Sequence, residues 1–75
     1  MEGIQVNTIL VVDDDPNTRN LVSIHLKEEG FTVLEAEDGK KALNILEKQL
    51  CDMAIVDIMM PYIDGYIKFS HLFFI

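Results

Sequence analysis

Apolar residues along this chain follow two spacings. Ile9-Leu10-Val11-Val12 and Ala54-Ile55-Val56 are unbroken runs, and Phe31, Val33 and Leu34 make a looser third. Short runs rich in β-branched residues predict strands buried on both faces. Between them apolar residues recur at three- and four-residue intervals, the period of a helix with one buried stripe. The predicted elements are a strand from Thr8 to Val12, a helix from Pro16 to about Glu29, a strand from Phe31 to Ala36, a helix from about Lys40 to Gln49, and a strand from Met53 to Asp57.

Local chemistry supports these boundaries. Asp15 is placed to cap the first helix and Pro16 occupies its first position, where a missing N–H costs nothing. Leu21, Val22, Ile24 and Leu26 are expected to face the core, with Arg19, Asn20, Lys27 and Glu28 in water. Gly30 fits the stop, because the left-handed residue after a helix is cheapest as glycine. Asp38 caps the second helix, whose expected buried face is Ala42, Leu43, Ile45, Leu46 and Leu50.

A β-α-β-α-β string closes as an α/β fold, a partial doubly wound parallel sheet. Right-handed crossovers place the second and third strands on opposite sides of the first, giving strand order 2-1-3. The switch point then lies between strands one and three, at their carboxyl ends, where ligands of open α/β sheets bind. Asp13, Asp14 and Asp57 fall at that point. Three carboxylates crowded together repel unless a cation intervenes, and hard oxygen ligands of this kind suit Mg²⁺.

Composition narrows the classes. Seventy-five residues allow one domain, and 13 acidic against 6 basic residues give a net charge of −7. With no basic cluster beyond Lys40-Lys41, binding to a nucleic-acid phosphate backbone is not expected. Cys51 is the only cysteine, which rules out an internal disulfide and suggests a small apolar filler. The N-terminus lacks the basic and apolar regions of a secretory signal, and no apolar stretch reaches the ~20 residues of a membrane span, so a cytoplasmic location is expected.

The residues together resemble a known family. Ile9-Leu-Val-Val-Asp13-Asp14-Asp15-Pro16, the Glu37-Asp38-Gly39 turn before Ala42-Leu43, and Asp52-Met-Ala-Ile-Val-Asp57-Ile-Met-Met-Pro61-Tyr-Ile-Asp64-Gly65 are similar, in order and spacing, to the flavodoxin-like receiver domain of two-component response regulators. The resemblance runs from about Thr8 to Tyr66. It implies that Asp57 accepts a phosphoryl group from a sensor histidine kinase, so the chain is a phosphoacceptor and not an enzyme. It further implies Mg²⁺ held by Asp13, Asp14, Asp57 and the main-chain carbonyl of Met59, with Pro61 and Gly65 shaping the loop after the acceptor strand.

The chain also departs from that pattern. A complete receiver supplies a Ser or Thr from a fourth strand and a lysine from a fifth; no residue here is assigned to either role, and Lys68 and Ser70 are set aside as too close to Asp57. The expectation is residues 1–65 as the N-terminal part of a receiver truncated after its third strand, followed by an apolar tail, 66–75. An uncovered third-strand edge would recruit a partner, so a homo-oligomer joined through that edge or the tail is expected.

Simpler readings compete at each position. Asp15 and Asp38 read as helix caps, Arg19 as a solvated charge or a salt bridge, and His25 and His71 as surface or structural residues without metal-ligand spacing. Met53, Met59 and Met60 read as packing. The alternative function is a phosphorylation-incompetent dimerisation or kinase-binding module. Val12-Asp13-x-Asp15 also superficially fits a haloacid dehalogenase phosphatase, but that leaves Asp57 and Pro61 unexplained and lacks room for a cap.

Overall fold

The computed structural model describes residues 5–62 and 65–74. Its elements are β1 (Thr8–Asp13), α1 (Pro16–Glu28), β2 (Thr32–Ala36), α2 (Gly39–Lys48), β3 (Met53–Tyr62) and β4 (Gly65–Phe74). They form one mixed sheet in the order β2-β1-β3-β4. β1 pairs in parallel with both β2 and β3, so the predicted order 2-1-3 stands, and Asp13 is the register partner of Asp57.

β1 is central because its side chains bury on both faces: Ile9, Leu10, Val11 and Val12 are all buried. Leu10 and Val12 join Ala36, Ala42, Cys51 and Ala54 in the main core, with Leu34, Ile45, Leu46 and Val56 packed against it. Cys51 is thus the small apolar filler that the sequence suggests.

The caps form as anticipated. Asp15 Oδ1 accepts from the Asn17 amide at 3.0 Å, and Asp38 Oδ1 accepts from the Lys41 amide at 2.9 Å. Gly30 takes φ +97° beyond the end of α1. At the opposite end of the sheet Asp52 ties β1 to the start of β3. Its Oδ2 accepts from the amides of Asn7 and Thr8 at 2.9 and 2.8 Å, while its own amide donates to the Thr8 carbonyl.

Two helix faces differ from expectation. Leu21 and Ile24 are exposed at 57% and 44%, and the buried residue of α1 is Ser23. Leu43 and Leu50 are likewise exposed, leaving Ala42, Ile45 and Leu46 as the side chains of α2 against the sheet. A three-strand parallel core is narrow, so each helix seats a slim stripe of small or medium residues and the flanking leucines fall outside it.

The largest departure is the C-terminal segment. The third strand runs on past Asp57 to Tyr62 and is covered by β4, antiparallel, from Met53↔Phe74 to Tyr62↔Gly65. The β3 edge expected to lie open, and to join two copies, is therefore occupied by the chain's own tail. Pro61 and Gly65 lie within β3 and β4 and not in a loop, while Asp64 falls outside the described residues. Proline is tolerated at this point because the β1 pairing ends at Asp57, making the rest of β3 one-sided, as an edge strand is.

Candidate phosphoacceptor site

The polar end of the sheet is built where β1 and β3 finish together. Asp13 ends β1 and is 1% exposed. A carboxylate so deeply placed needs hydrogen-bond donors, and Asp13 Oδ1 accepts one from the Asp15 amide at 2.9 Å, a turn that bends the chain toward α1. Asp14 is exposed in that turn, and Asp57 is half-buried in β3 with its Oδ1 buried. The backbone thus brings all three predicted aspartates to one end of two adjacent parallel strands.

Their donor chemistry suits a hard divalent cation, since all are oxygen ligands at strand carboxyl ends. Among the described residues, no three His, Cys, Asp or Glu side chains are grouped as a metal site. Met59, the expected main-chain ligand, lies within β3 as the register partner of Lys68, and Ser70 is the partner of Asp57.

In the sequence Arg19 matches a position that the receiver resemblance makes often basic and reads more simply as a solvated charge or a salt bridge; the structure gives it more. Its Nε pairs with Glu35 Oε1 at 3.3 Å, which is the salt bridge. Its Nη1 also donates to the main-chain carbonyl of Asp13 at 2.6 Å. One guanidinium therefore links α1, β2 and the end of β1. The available signal is positional: a residue one turn into a helix that starts beside a strand end can reach back over that end.

Beside this clamp, Arg19, Glu35, Ala36, Glu37 and Lys41 line an open polar depression of about 310 Å³. Lys41 forms an i,i+4 ion pair with Glu37, whose hydrogen bond and negative charge raise the lysine above its ordinary value. Each cation in the depression already has a carboxylate partner. The depression flanks the first turns of the two helices and is not lined by the three aspartates.

Comparison with known proteins agrees with this geometry. Residues 9–72 match the response regulator receiver domain family, and the chain belongs to that family, whose members act in two-component signalling. It is 42% identical over 59 residues to the response regulator GtcR of Aneurinibacillus migulanus, covering 79% of this chain and 24% of that protein. To the heme response regulator HssR of Staphylococcus aureus it is 47% identical over 57 residues, covering 76% of this chain and 25% of that protein. An uncharacterized 14.6 kDa protein of Leptolyngbya boryana is 42% identical over 66 residues, 88% of this chain and 50% of its own. The chain therefore spans about a quarter to a half of the length of these curated relatives. No solved structure matches it.

Proposed function

We propose that this chain is a receiver unit that accepts a phosphoryl group on Asp57 from a sensor histidine kinase in the cytoplasm, and that it is not itself an enzyme. The observation that carries the reading is the register Asp13↔Asp57 at the carboxyl end of adjacent parallel strands, with Asp14 in the following turn. Asp57 would supply the nucleophile of the transfer. In the transfer a carboxylate oxygen of Asp57 forms a bond to phosphorus as the donor's P–N bond breaks; the imidazole leaves with the electron pair and takes up a proton.

Mg²⁺ belongs to this reading. Asp13, Asp14 and Asp57 are the residues that would hold it, together with the Met59 carbonyl; bound there, it would neutralise negative charge on the phosphoryl oxygens. Incubating the full chain with Mg²⁺ and a small phosphodonor, followed by intact mass, tests the proposal. The expected result is one added phosphoryl group, lost in Asp57→Asn; an unchanged mass in the wild type refutes it.

A second reading, an interaction module, is favoured by a separate observation. The outer strand β4 carries Leu72 and Phe73 at 56% and 48% exposure, and the sheet has no further strand beyond it among the described residues. An apolar edge strand recruits other strands. Self-association through this tail strand is therefore part of the reading, and light scattering tests it: a monomer at micromolar concentration refutes it.

A further inference from the structure

We infer that Arg19 is a positioning residue for the Asp13-Asp14 pair, fixing the direction in which Asp14 meets a divalent cation; this rests on the phosphoacceptor reading above. The carbonyl that Arg19 Nη1 grips, at 2.6 Å, is that of Asp13. That carbonyl and the amide of Asp14 belong to one planar peptide unit. Holding the oxygen therefore sets the plane from which the Asp14 Cα departs.

Three contacts make the hold rigid. Arg19 sits one turn into α1, its own amide bonded to the Asp15 carbonyl at 2.9 Å, so its backbone is part of the helix that the turn begins. Glu35 of β2 anchors Nε at 3.3 Å, leaving Nη1 directed at β1. From the other side, the Asp15 amide holds the Asp13 carboxylate at 2.9 Å. Asp13 is thus fixed at both its carbonyl and its side chain, and Asp14 is the exposed residue whose approach depends on that frame. A fixed peptide removes one freedom from the step in which a cation is bound.

Charge and position predict opposite results. A guanidinium next to a cation site repels the cation, so if Arg19 acted only through its charge, Arg19→Met would bind Mg²⁺ on the order of threefold tighter. If it acts by holding the peptide, the same variant binds more weakly, by about tenfold or more, the usual effect of removing an outer-shell partner. Arg19→Lys keeps the charge but lacks the planar fork that serves Asp13 and Glu35 together. It should weaken binding as well, whereas a pure charge effect leaves it unchanged.

The experiment titrates Mg²⁺ into the full chain and both variants, following amide chemical shifts, and measures amide exchange at Asp14 and Asp15 before Mg²⁺ is added. Weaker binding in both variants with faster exchange at Asp14 supports the inference. Tighter binding in Arg19→Met, or wild-type affinity in Arg19→Lys, overturns it, as does unchanged exchange in both. A wild-type chain without a saturable Mg²⁺ response overturns the phosphoacceptor reading and the cation role of Arg19 with it. The exchange arm then decides by itself whether Arg19 holds the peptide. If Arg19→Met does not fold, the affinity and exchange of Arg19→Lys decide between support and refutation on the same criteria.

Discussion

Ser23 is 1% exposed on the inner face of α1, and its hydroxyl has no hydrogen-bond partner among the described residues. A buried polar group left unpaired costs about 1–3 kcal/mol. α1 packs over both β1 and β2, and Ser23 is its buried residue, where a small side chain fits. Replacing the hydroxyl with hydrogen keeps the close approach and removes the desolvation cost. Ser23→Ala should therefore stabilise the chain.

Alanine adds a few tenths of a kcal/mol through better helix propensity, and loss of one oxygen atom leaves little space behind, so the net gain is about 1 kcal/mol. For 75 residues, unfolding entropy near the midpoint is ~160 cal/mol/K, so that gain raises the midpoint by roughly 6 °C. Against a total stability of about 4–11 kcal/mol for a chain this long, the effect is readily measured. The assay is urea and thermal unfolding by circular dichroism, because the chain has no tryptophan to report by fluorescence. Ser23→Val is the companion: it also removes the hydroxyl but adds bulk, and overpacking should cost about 1–3 kcal/mol. A loss of stability in Ser23→Ala would show that the hydroxyl is bonded and refute the reasoning.

Further outcomes follow from other positions. Gly30 holds φ +97° with nothing within 4 Å of a would-be Cβ, so Gly30→Ala should cost about 1–2 kcal/mol through backbone conformation alone, with Gly30→Asn costing less; urea midpoints decide. Burial, and secondarily the charge of Asp52, pushes the Cys51 thiol above its ordinary value, so native alkylation at neutral pH should be slower than in denaturant; equal rates refute it. The amides of Thr8 and Asn7 hold the Asp52 carboxyl below its ordinary 3.8. Below 3.8 the unfolded chain then binds more protons than the folded one, so this contribution is present above that value and lost as pH falls through the folded-state value. Asp52→Asn should flatten that part of the acid-unfolding profile, and an unchanged profile counts against the role of Asp52.

The parallel half of the fold is legible in the sequence because local and global demands coincide there. Asp15-Pro16, Gly30 and Asp38 punctuate the chain at points where the apolar spacing also changes, and right-handed crossovers then leave one strand order. The inner face of α1 is less legible: spacing treats Leu21 and Ile24 as better core residues than Ser23, and only the width of the sheet reverses that ranking. Arg19 depends on partners six and sixteen residues away in sequence, which no local period encodes. The tail advertises its apolar content but not its conformation. The strand Gly65–Phe74, which could have sought another chain, instead completes the sheet within its own.

The extension of β3 alters what the polar end can present. β1 stops at Asp13, level with Asp57, while β3 continues to Tyr62 with β4 alone beside it. The sheet is therefore stepped at the aspartates: beyond Asp57, β3 overhangs the level at which the Asp13-Asp14 turn leaves toward α1. Main-chain groups of β3 on the β1 side of that step are not committed to a strand ladder among the described residues. A parallel sheet ending flush would offer only carboxylates at its switch point. A step adds backbone oxygens next to them, the kind of neutral ligand that lets a hard cation gain coordination without further negative charge. The feature that the sequence did not reveal thus bears on the feature that it revealed best, because the antiparallel hairpin sets what surrounds Asp57 on the side away from β4.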